Sequence, residues 1–146
     1  MILMPYSKIV VAYDGSKAAE KALHQAIMLS HDTYSTILEI IHVYNFPTIV
    51  IGEAIISPAP NREFALYNAA QAVADKATEL VKNLPLASVV LKQGDPAKTI
   101  LEYADETGCD LIIIGSHGHG SILDIVLGSV SHDVIKHANV SVLVVK

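Results

Sequence analysis

In residues 110–131, DLIIIGSHGHGSILDIVLGSVS, an apolar run ends at a cluster of glycines, and a Gly-Ser pair stands just ahead of a helical pattern. The run Leu111 to Ile114 reads as a strand buried on both faces, which is the habit of a parallel sheet covered by helices. The loop after it holds Gly115, Gly118 and Gly120, and Gly128-Ser129 precedes the helix marked by Val130, Val134, Ile135 and Ala138. Glycines let backbone N–H groups approach an anion without a Cβ in the way, and a helix start adds unpaired donors and partial positive charge.

Outward from this stretch, strand and helix periods alternate along the whole chain. Lys8 to Tyr13 is a β-branched run that ends at Asp14-Gly15-Ser16, and Ala19, Ala22, Leu23, Ala26 and Ile27 follow at helical spacing. Thr36 to Tyr44 is a second strand, and Leu66 through Leu84 carries a long amphipathic helix with a small-residue face. A third strand covers Ala87 to Lys92. Gly94-Asp95-Pro96 then opens a helix with Asp95 as cap and Pro96 in the first turn, and Gly108 closes it. Leu111 to Ile114 is the fourth strand and Ser141 to Val145 the fifth. Five such strands separated by helices predict a doubly wound α/β domain with a five-stranded parallel sheet, order 3-2-1-4-5, and helices on both faces. Ligands in such sheets sit outside the carboxyl ends of the strands where the order reverses, so Asp14 and Gly115 are expected to flank one crevice. The segment Asn45 to Pro60 is long for a connection, and its apolar residues Ile49-Val50-Ile51 and Ile55-Ile56 suit a lid or a partner-binding flap.

At 146 residues the chain fits one domain, residues 1–146, with 51% hydrophobic residues to fill a core. No run approaches the ~18 apolar residues of a membrane-spanning helix, and Met1 to Tyr6 lacks the basic start of a signal peptide. A cytoplasmic protein without membrane contact is expected. The net charge of -5 argues against general affinity for nucleic acid. Cys109, the single cysteine, excludes an intrachain disulfide framework.

The glycine spacing is neither a P-loop nor a dinucleotide fingerprint, and Ser116 lacks the flanks of a nucleophile elbow. Asp14 suits a ribose hydroxyl, a base amine or a place near a metal, although Asp-Gly-Ser is also an ordinary turn. Ser16 is a natural N-cap. Ser129 can cap the last helix, and Ser131 lies in its first turn, where both hydroxyls can also donate to phosphate. His117 and His119 make a tempting metal pair, but no third ligand stands near in sequence. His42, in the second strand, reads as a half-buried histidine with a partner, and Cys109 as a small buried hydrophobe.

These residues resemble the ATP-binding branch of the universal stress protein family. Its motif Gly-x2-Gly-x9-Gly-Ser/Thr is matched by Gly115, Gly118, Gly128 and Ser129 with every spacing intact. The opening KIVVAYDGS, the His-Val pair of the second strand, Gly94 to Pro96 and the closing VSVLVV extend the likeness over nearly the whole chain. The resemblance implies an adenine nucleotide alpha hydrolase-like fold that binds ATP, or ADP or AMP, with Mg2+ or Mn2+. Ala12 would border the base, Asp14 and the backbone of Val43 would contact adenosine, and Gly115, Gly118, Gly128, Ser129 and Ser131 would hold ribose and phosphates. Ser116, His117, His119 and Val130 are counted with this site. The resemblance also implies a homodimer paired through the last strand, which agrees with the apolar edge that Val140 to Val145 would present. Phosphoryl transfer needs charge neutralisation and an oriented water, and the chain shows no P-loop lysine and a single arginine, Arg62, placed before the second helix. The expectation is a nucleotide-dependent switch in stress response, read by a partner protein, with hydrolysis slow at most. The alternatives are a slow metal-dependent ATPase or phosphotransferase and a nucleotide-independent dimeric interaction module.

Overall fold

The computed structural model describes residues 6–31, 35–57, 59–117 and 127–146. Its order is β1 (Lys8–Ala12), α1 (Lys17–His31), β2 (Ile37–Tyr44), β3 (Ile49–Ile51), β4 (Ala54–Ile56), α2 (Pro60–Leu80), β5 (Ala87–Gln93), α3 (Pro96–Thr107), β6 (Leu111–Gly115), α4 (Ser129–His137) and β7 (Ser141–Val145). The main sheet runs β5-β2-β1-β6-β7 with every pair parallel. Counted without the β3–β4 ribbon, this is the expected order 3-2-1-4-5. The sequence neighbours β1 and β2 pair directly, whereas β6 returns to the other side of β1, so the order reverses between β1 and β6.

Each face of the sheet has its own apolar layer. Ile9, Val11, Leu38, Ile40 and Ile113 pack under α1 and α2, through Ala22, Leu23, Ala26 and Ala77. Val10, Ile41, Ile112 and Ile114 pack under α3 and α4, through Ala97, Ile100, Ala104 and Val134. The alternation Val10/Val11 and Ile112/Ile113 sends successive side chains to opposite layers, as a pleated strand must. Both are fully buried, which is why these strands read as unbroken apolar runs.

Helix α3 follows its local code closely. Asp95 accepts a hydrogen bond from the Lys98 amide (3.0 Å), Pro96 occupies the first turn, and Gly108 ends the helix in the left-handed region at φ 68°. At the other end of β1, Asp110 ties the strand down by accepting from Ser7 N (2.8 Å), Ser7 Oγ (3.0 Å) and Lys8 N (3.0 Å).

The segment after β2 departs from the sequence expectation. It is a β-hairpin, with Val50 paired to Ile55 and Ile51 to Ala54 around the two-residue loop Gly52-Glu53. Gly52 sits at φ 62°, the positive value that the first position of such a tight loop requires. Helix α2 then begins at Pro60, earlier than the apolar stripe suggests, and Arg62 lies inside its first turn instead of before it. The helix overshoots the core: its buried residues are Ala70, Ala74 and Ala77, and Phe64 near its start is exposed. No helix among the described residues is long and apolar enough to cross a membrane.

Candidate functional site

A cavity of about 430 Å³ opens at the carboxyl ends of β1, β2 and β6, where the strand order reverses. Its volume falls within the ~300–1,000 Å³ range of small-molecule sites. Of the residues singled out from the sequence, Ala12, Asp14, Val43, Gly115, His117, Gly128, Ser129, Val130 and Ser131 all line it. Gly118 and His119 lie outside the described residues, as does Gly120.

The walls divide by chemistry. Ala12, Ile41, Val43, Ile100, Ile114 and Val130 give an apolar slot between the sheet and α3, suited to a flat ring system. Asp14 brings a carboxylate from the end of β1, and its Oδ1 accepts from the Ser16 amide (2.9 Å). The turn-forming role and a place in the cavity therefore coexist, because a carboxylate has acceptor capacity beyond one bond. Ser16 caps α1, its hydroxyl oxygen accepting from Ala19 N (3.1 Å), and it too lines the cavity.

The start of α4 lines the same cavity. Gly128 is the N-cap and has no side chain with which to cap, so among the described residues no side chain engages the first-turn amides of Ser129, Val130 and Ser131. That overturns the expectation that Ser129 caps this helix: Ser129 is already its first helical residue. The uncapped amides and the helix dipole make this end of the cavity receptive to anions.

Ser116 does not line the cavity; it closes the loop behind it. Its carbonyl accepts from Gly128 N (2.8 Å) and from Ser131 Oγ (2.9 Å), and its amide donates to the Val145 carbonyl (2.8 Å). Ser131 is buried, and its hydroxyl is within reach of the Gly128 carbonyl as well (3.0 Å). With its one hydrogen used on backbone carbonyls, Ser131 serves in this arrangement to pin the two ends of the glycine loop and not as a phosphate donor. The Ser116 hydroxyl lies 3.0 Å from His117 Nδ1.

Gly115 also plays a part that its sequence context hides. A Cβ there would stand 2.9 Å from both the backbone carbon and the Cβ of Ala18. The missing side chain is what lets β6 pack against the first turn of α1.

Several lining residues were not singled out from the sequence: Tyr13, Ala19, Ile41, Pro96, Ile100 and Ile114, together with His42, which was read as structural. His42 Nδ1 lies 2.8 Å from the Tyr13 carbonyl, so β2 holds the backbone that leads into Asp14. Burial pushes the His42 imidazole below its ordinary value, and the bond to the Tyr13 carbonyl opposes this only in part. The neutral ring that results donates from Nδ1 and leaves Nε2 as an acceptor. Tyr13 is nearly inaccessible, its hydroxyl has no hydrogen-bond partner among the described residues, and burial raises its phenol. For Tyr13, His42 and Ile114 the usable signal was position toward the carboxyl ends of strands next to the order reversal, whereas Ala19, Pro96 and Ile100 lie on helices α1 and α3 that fold over that end.

Two other residues behave as plain structure. Cys109 is buried and its thiol is pushed up by that burial, away from reactivity. Among the described residues, no group of three or more His, Cys, Asp or Glu side chains is arranged to hold a metal ion.

Comparison with known proteins places the chain in a family. The sequence profile described as the Universal stress protein family matches residues 5–146. The chain is 30% identical to the universal stress protein YxiE of Bacillus subtilis over 155 aligned residues, covering 97% of this chain and 99% of that one. It is 31% identical to a universal stress protein of Thermus aquaticus, covering 97% and 99%. The solved structure of MJ0577, a universal stress protein of Methanocaldococcus jannaschii, superposes with a TM-score of 0.78 at 27% identity, covering 99% of this chain and 97% of that one. A universal stress protein of Archaeoglobus fulgidus solved in complex with dAMP is similar over 100% of both chains, with a TM-score of 0.64 and 26% identity.

Proposed function

The chain belongs to the universal stress protein family, and we propose that within it this protein is an adenine-nucleotide-binding switch in stress response. The observation that carries the reading is that one cavity is lined by apolar side chains together with the Asp14 carboxylate and the start of α4. A nucleotide has the matching order of parts: a flat base for the slot, ribose hydroxyls for a carboxylate acceptor, and phosphates for backbone amides. The complex of the Archaeoglobus fulgidus relative with dAMP supports an adenine base.

In this reading Ala12, Ile41 and Val130 enclose the base and the backbone of Val43 meets its edge. Asp14 accepts from ribose, and Gly128, Ser129 and the glycine loop hold phosphates. ATP is the expected ligand, with ADP or AMP competing. Mg2+ or Mn2+ would neutralise phosphate charge. Ser116 and Ser131 keep the loop ends together, and His42 steadies the approach to Asp14. We further propose that the protein acts in the cytoplasm as a homodimer paired at the exposed edge of β7, and that a partner protein reads the loops that nucleotide orders.

The test is the melting temperature with ATP, ADP, AMP and NAD, each with and without Mg2+. A ligand at about a hundred times its dissociation constant should add roughly 2.7 kcal/mol of stability. A rise confined to adenine nucleotides, largest for ATP with Mg2+, supports the switch. No rise with any of them, in protein freed of bound nucleotide, removes the reading and leaves an interaction module.

A further inference from the structure

The cavity draws walls from both sides of the sheet. Ala12, Ile41, Ile100 and Ile114 belong to the apolar layer under α3 and α4, whereas Tyr13 and Ala19 belong to the layer under α1 and α2. Three polar residues line the cavity alongside Ala19: Tyr13, Ser16 and His42, at 2%, 7% and 9% exposure. The Tyr13 hydroxyl is fully enclosed and has no hydrogen-bond partner among the described residues. The charged groups that bear on it are Lys76 of α2, Glu20 of α1 and Asp14. Lys76 and Glu20 are paired with each other, and Asp14 accepts from the Ser16 amide. A buried hydroxyl left unpaired costs more than an ordinary hydrogen bond contributes, and a phenylalanine would fill the same apolar layer without that penalty. A buried donor of this kind calls for a specific explanation, and one that lines a cavity is placed to meet what enters it.

The neighbouring groups say what kind of atom it meets. His42 uses Nδ1 on the Tyr13 carbonyl, and its Nε2 has no partner among the described residues. The Ser16 hydroxyl oxygen accepts from Ala19 N, and its hydrogen remains available. Burial raises the Tyr13 phenol and lowers the His42 imidazole, so near neutral pH the first keeps its hydrogen and the second carries no charge. This wall therefore offers neutral donors and a neutral acceptor, and among the described residues no lysine or arginine lines the cavity. Phosphate oxygens only accept, so the His42 acceptor disfavours them here, and the amides at the start of α4 suit them better. A hydroxyl both donates and accepts, which matches a wall of mixed neutral polarity.

We infer that Tyr13 is a specificity-determining residue for the sugar of the nucleotide, its hydroxyl donating to one ribose hydroxyl. The assignment rests on the adenine-nucleotide reading of this cavity and adds to Asp14, which accepts from the same sugar, a donor of opposite role. A site that hydrogen-bonds a hydroxyl rejects the analogue lacking it, because its own buried polar group is then left unpaired. Tyr13 thus makes the site prefer a ribonucleotide over the analogue that lacks the accepting hydroxyl.

Calorimetric titration of the wild type and Tyr13→Phe with ATP, 2′-deoxy-ATP and 3′-deoxy-ATP, each with Mg2+ and in protein freed of bound nucleotide, tests this together with the melting temperature without ligand. Tyr13→Phe is expected to melt at the same temperature or higher, since it removes an unpaired buried hydroxyl. Its dissociation constant for ATP should rise roughly three- to tenfold, the worth of one neutral hydrogen bond. For one deoxy analogue, the one missing the accepting hydroxyl, wild type and variant should bind alike. An equal loss for all three ligands overturns the proposal, because the hydroxyl then acts through the shape of the fold. A lower melting temperature in the variant also overturns it, since the hydroxyl then has a partner in the unliganded protein, such as a buried water. Unchanged ATP affinity in the variant overturns the role of Tyr13 and leaves the nucleotide reading standing. Failure of the wild type to bind any of the three removes that reading itself, and this assignment with it.

Discussion

The Ser131 hydroxyl donates to the Ser116 carbonyl across 2.9 Å and so bridges residues 15 apart in sequence, one at the end of β6 and one in the first turn of α4. Together with the Gly128 amide on the same carbonyl, it closes the base of the glycine loop. Ser131→Ala should cost about 1 kcal/mol of stability, the net worth of one hydrogen bond, because Gly128 N still satisfies the carbonyl. Nucleotide affinity should fall several-fold, and Ser131→Thr should recover both if its added methyl fits. Urea unfolding and titration calorimetry on the two variants check this.

Asp14→Asn separates the turn from the site. The amide oxygen can still accept from Ser16 N, so the melting temperature without ligand should stay within a degree or two. The lost charge-assisted bond to ribose is worth about 1.5–3 kcal/mol, which is roughly a 10- to 150-fold rise in the dissociation constant. An unchanged affinity, measured by calorimetry with ATP, would remove Asp14 from the site.

Gly115→Ala tests whether that glycine serves packing. The new methyl meets Ala18 backbone, which cannot swing aside, and overpacking of this kind costs about 1–3 kcal/mol. The loss should appear in denaturant unfolding without any nucleotide present. A glycine kept only for a ligand would show no loss there.

His42 makes stability depend on pH in a definite direction. Its ordinary value is 6.5, and burial holds it lower in the folded protein, so the unfolded chain takes up the proton first. Stability is therefore full above about 6.5, falls as pH drops from there toward the folded value, and levels off below it. His42→Gln should flatten that part of the curve. Unfolding free energies measured from pH 7.5 to 5 in both proteins give the comparison.

Asp110 acts in a lower window. Burial favours its neutral form, but hydrogen bonds from Ser7 and Lys8 outweigh this and hold the carboxyl below its ordinary 3.8. Its contribution is present above that value and is lost as pH falls through the folded value. Asp110→Asn should lower stability by about 1–2 kcal/mol at pH 7 and much less at pH 3, as read from denaturant midpoints.

What was legible in the sequence had local causes. Unbroken apolar runs marked the five strands of the main sheet, and apolar residues at period 3.6 marked the helices, because burial selects side chains residue by residue. Asp95, Pro96 and Gly108 marked the limits of α3, because caps are satisfied within a turn. Gly115, Gly118, Gly128 and Ser129 could be named as a group because their spacing resembles a family motif, and Asp14 because it ends the first strand beside the expected crevice. The β3–β4 hairpin was missed although Gly52-Glu53 between two apolar runs is a hairpin signal; its apolar content was read as a lid or a partner-binding flap with no pairing assigned.

Tertiary structure alone decided the rest. His42, Tyr13, Pro96 and Ile100 join the cavity because β2 lies beside β1 and α3 crosses above them, a proximity that no local pattern encodes. Gly115 is needed against Ala18, almost a hundred positions away in the chain, and Ser131 spends its hydroxyl on Ser116 once β6 and α4 meet. A sequence records which side chains prefer burial or a turn, since those preferences are settled within a few residues. Which neighbour each one finds depends on chain segments brought together by folding, and only the folded chain sets those distances.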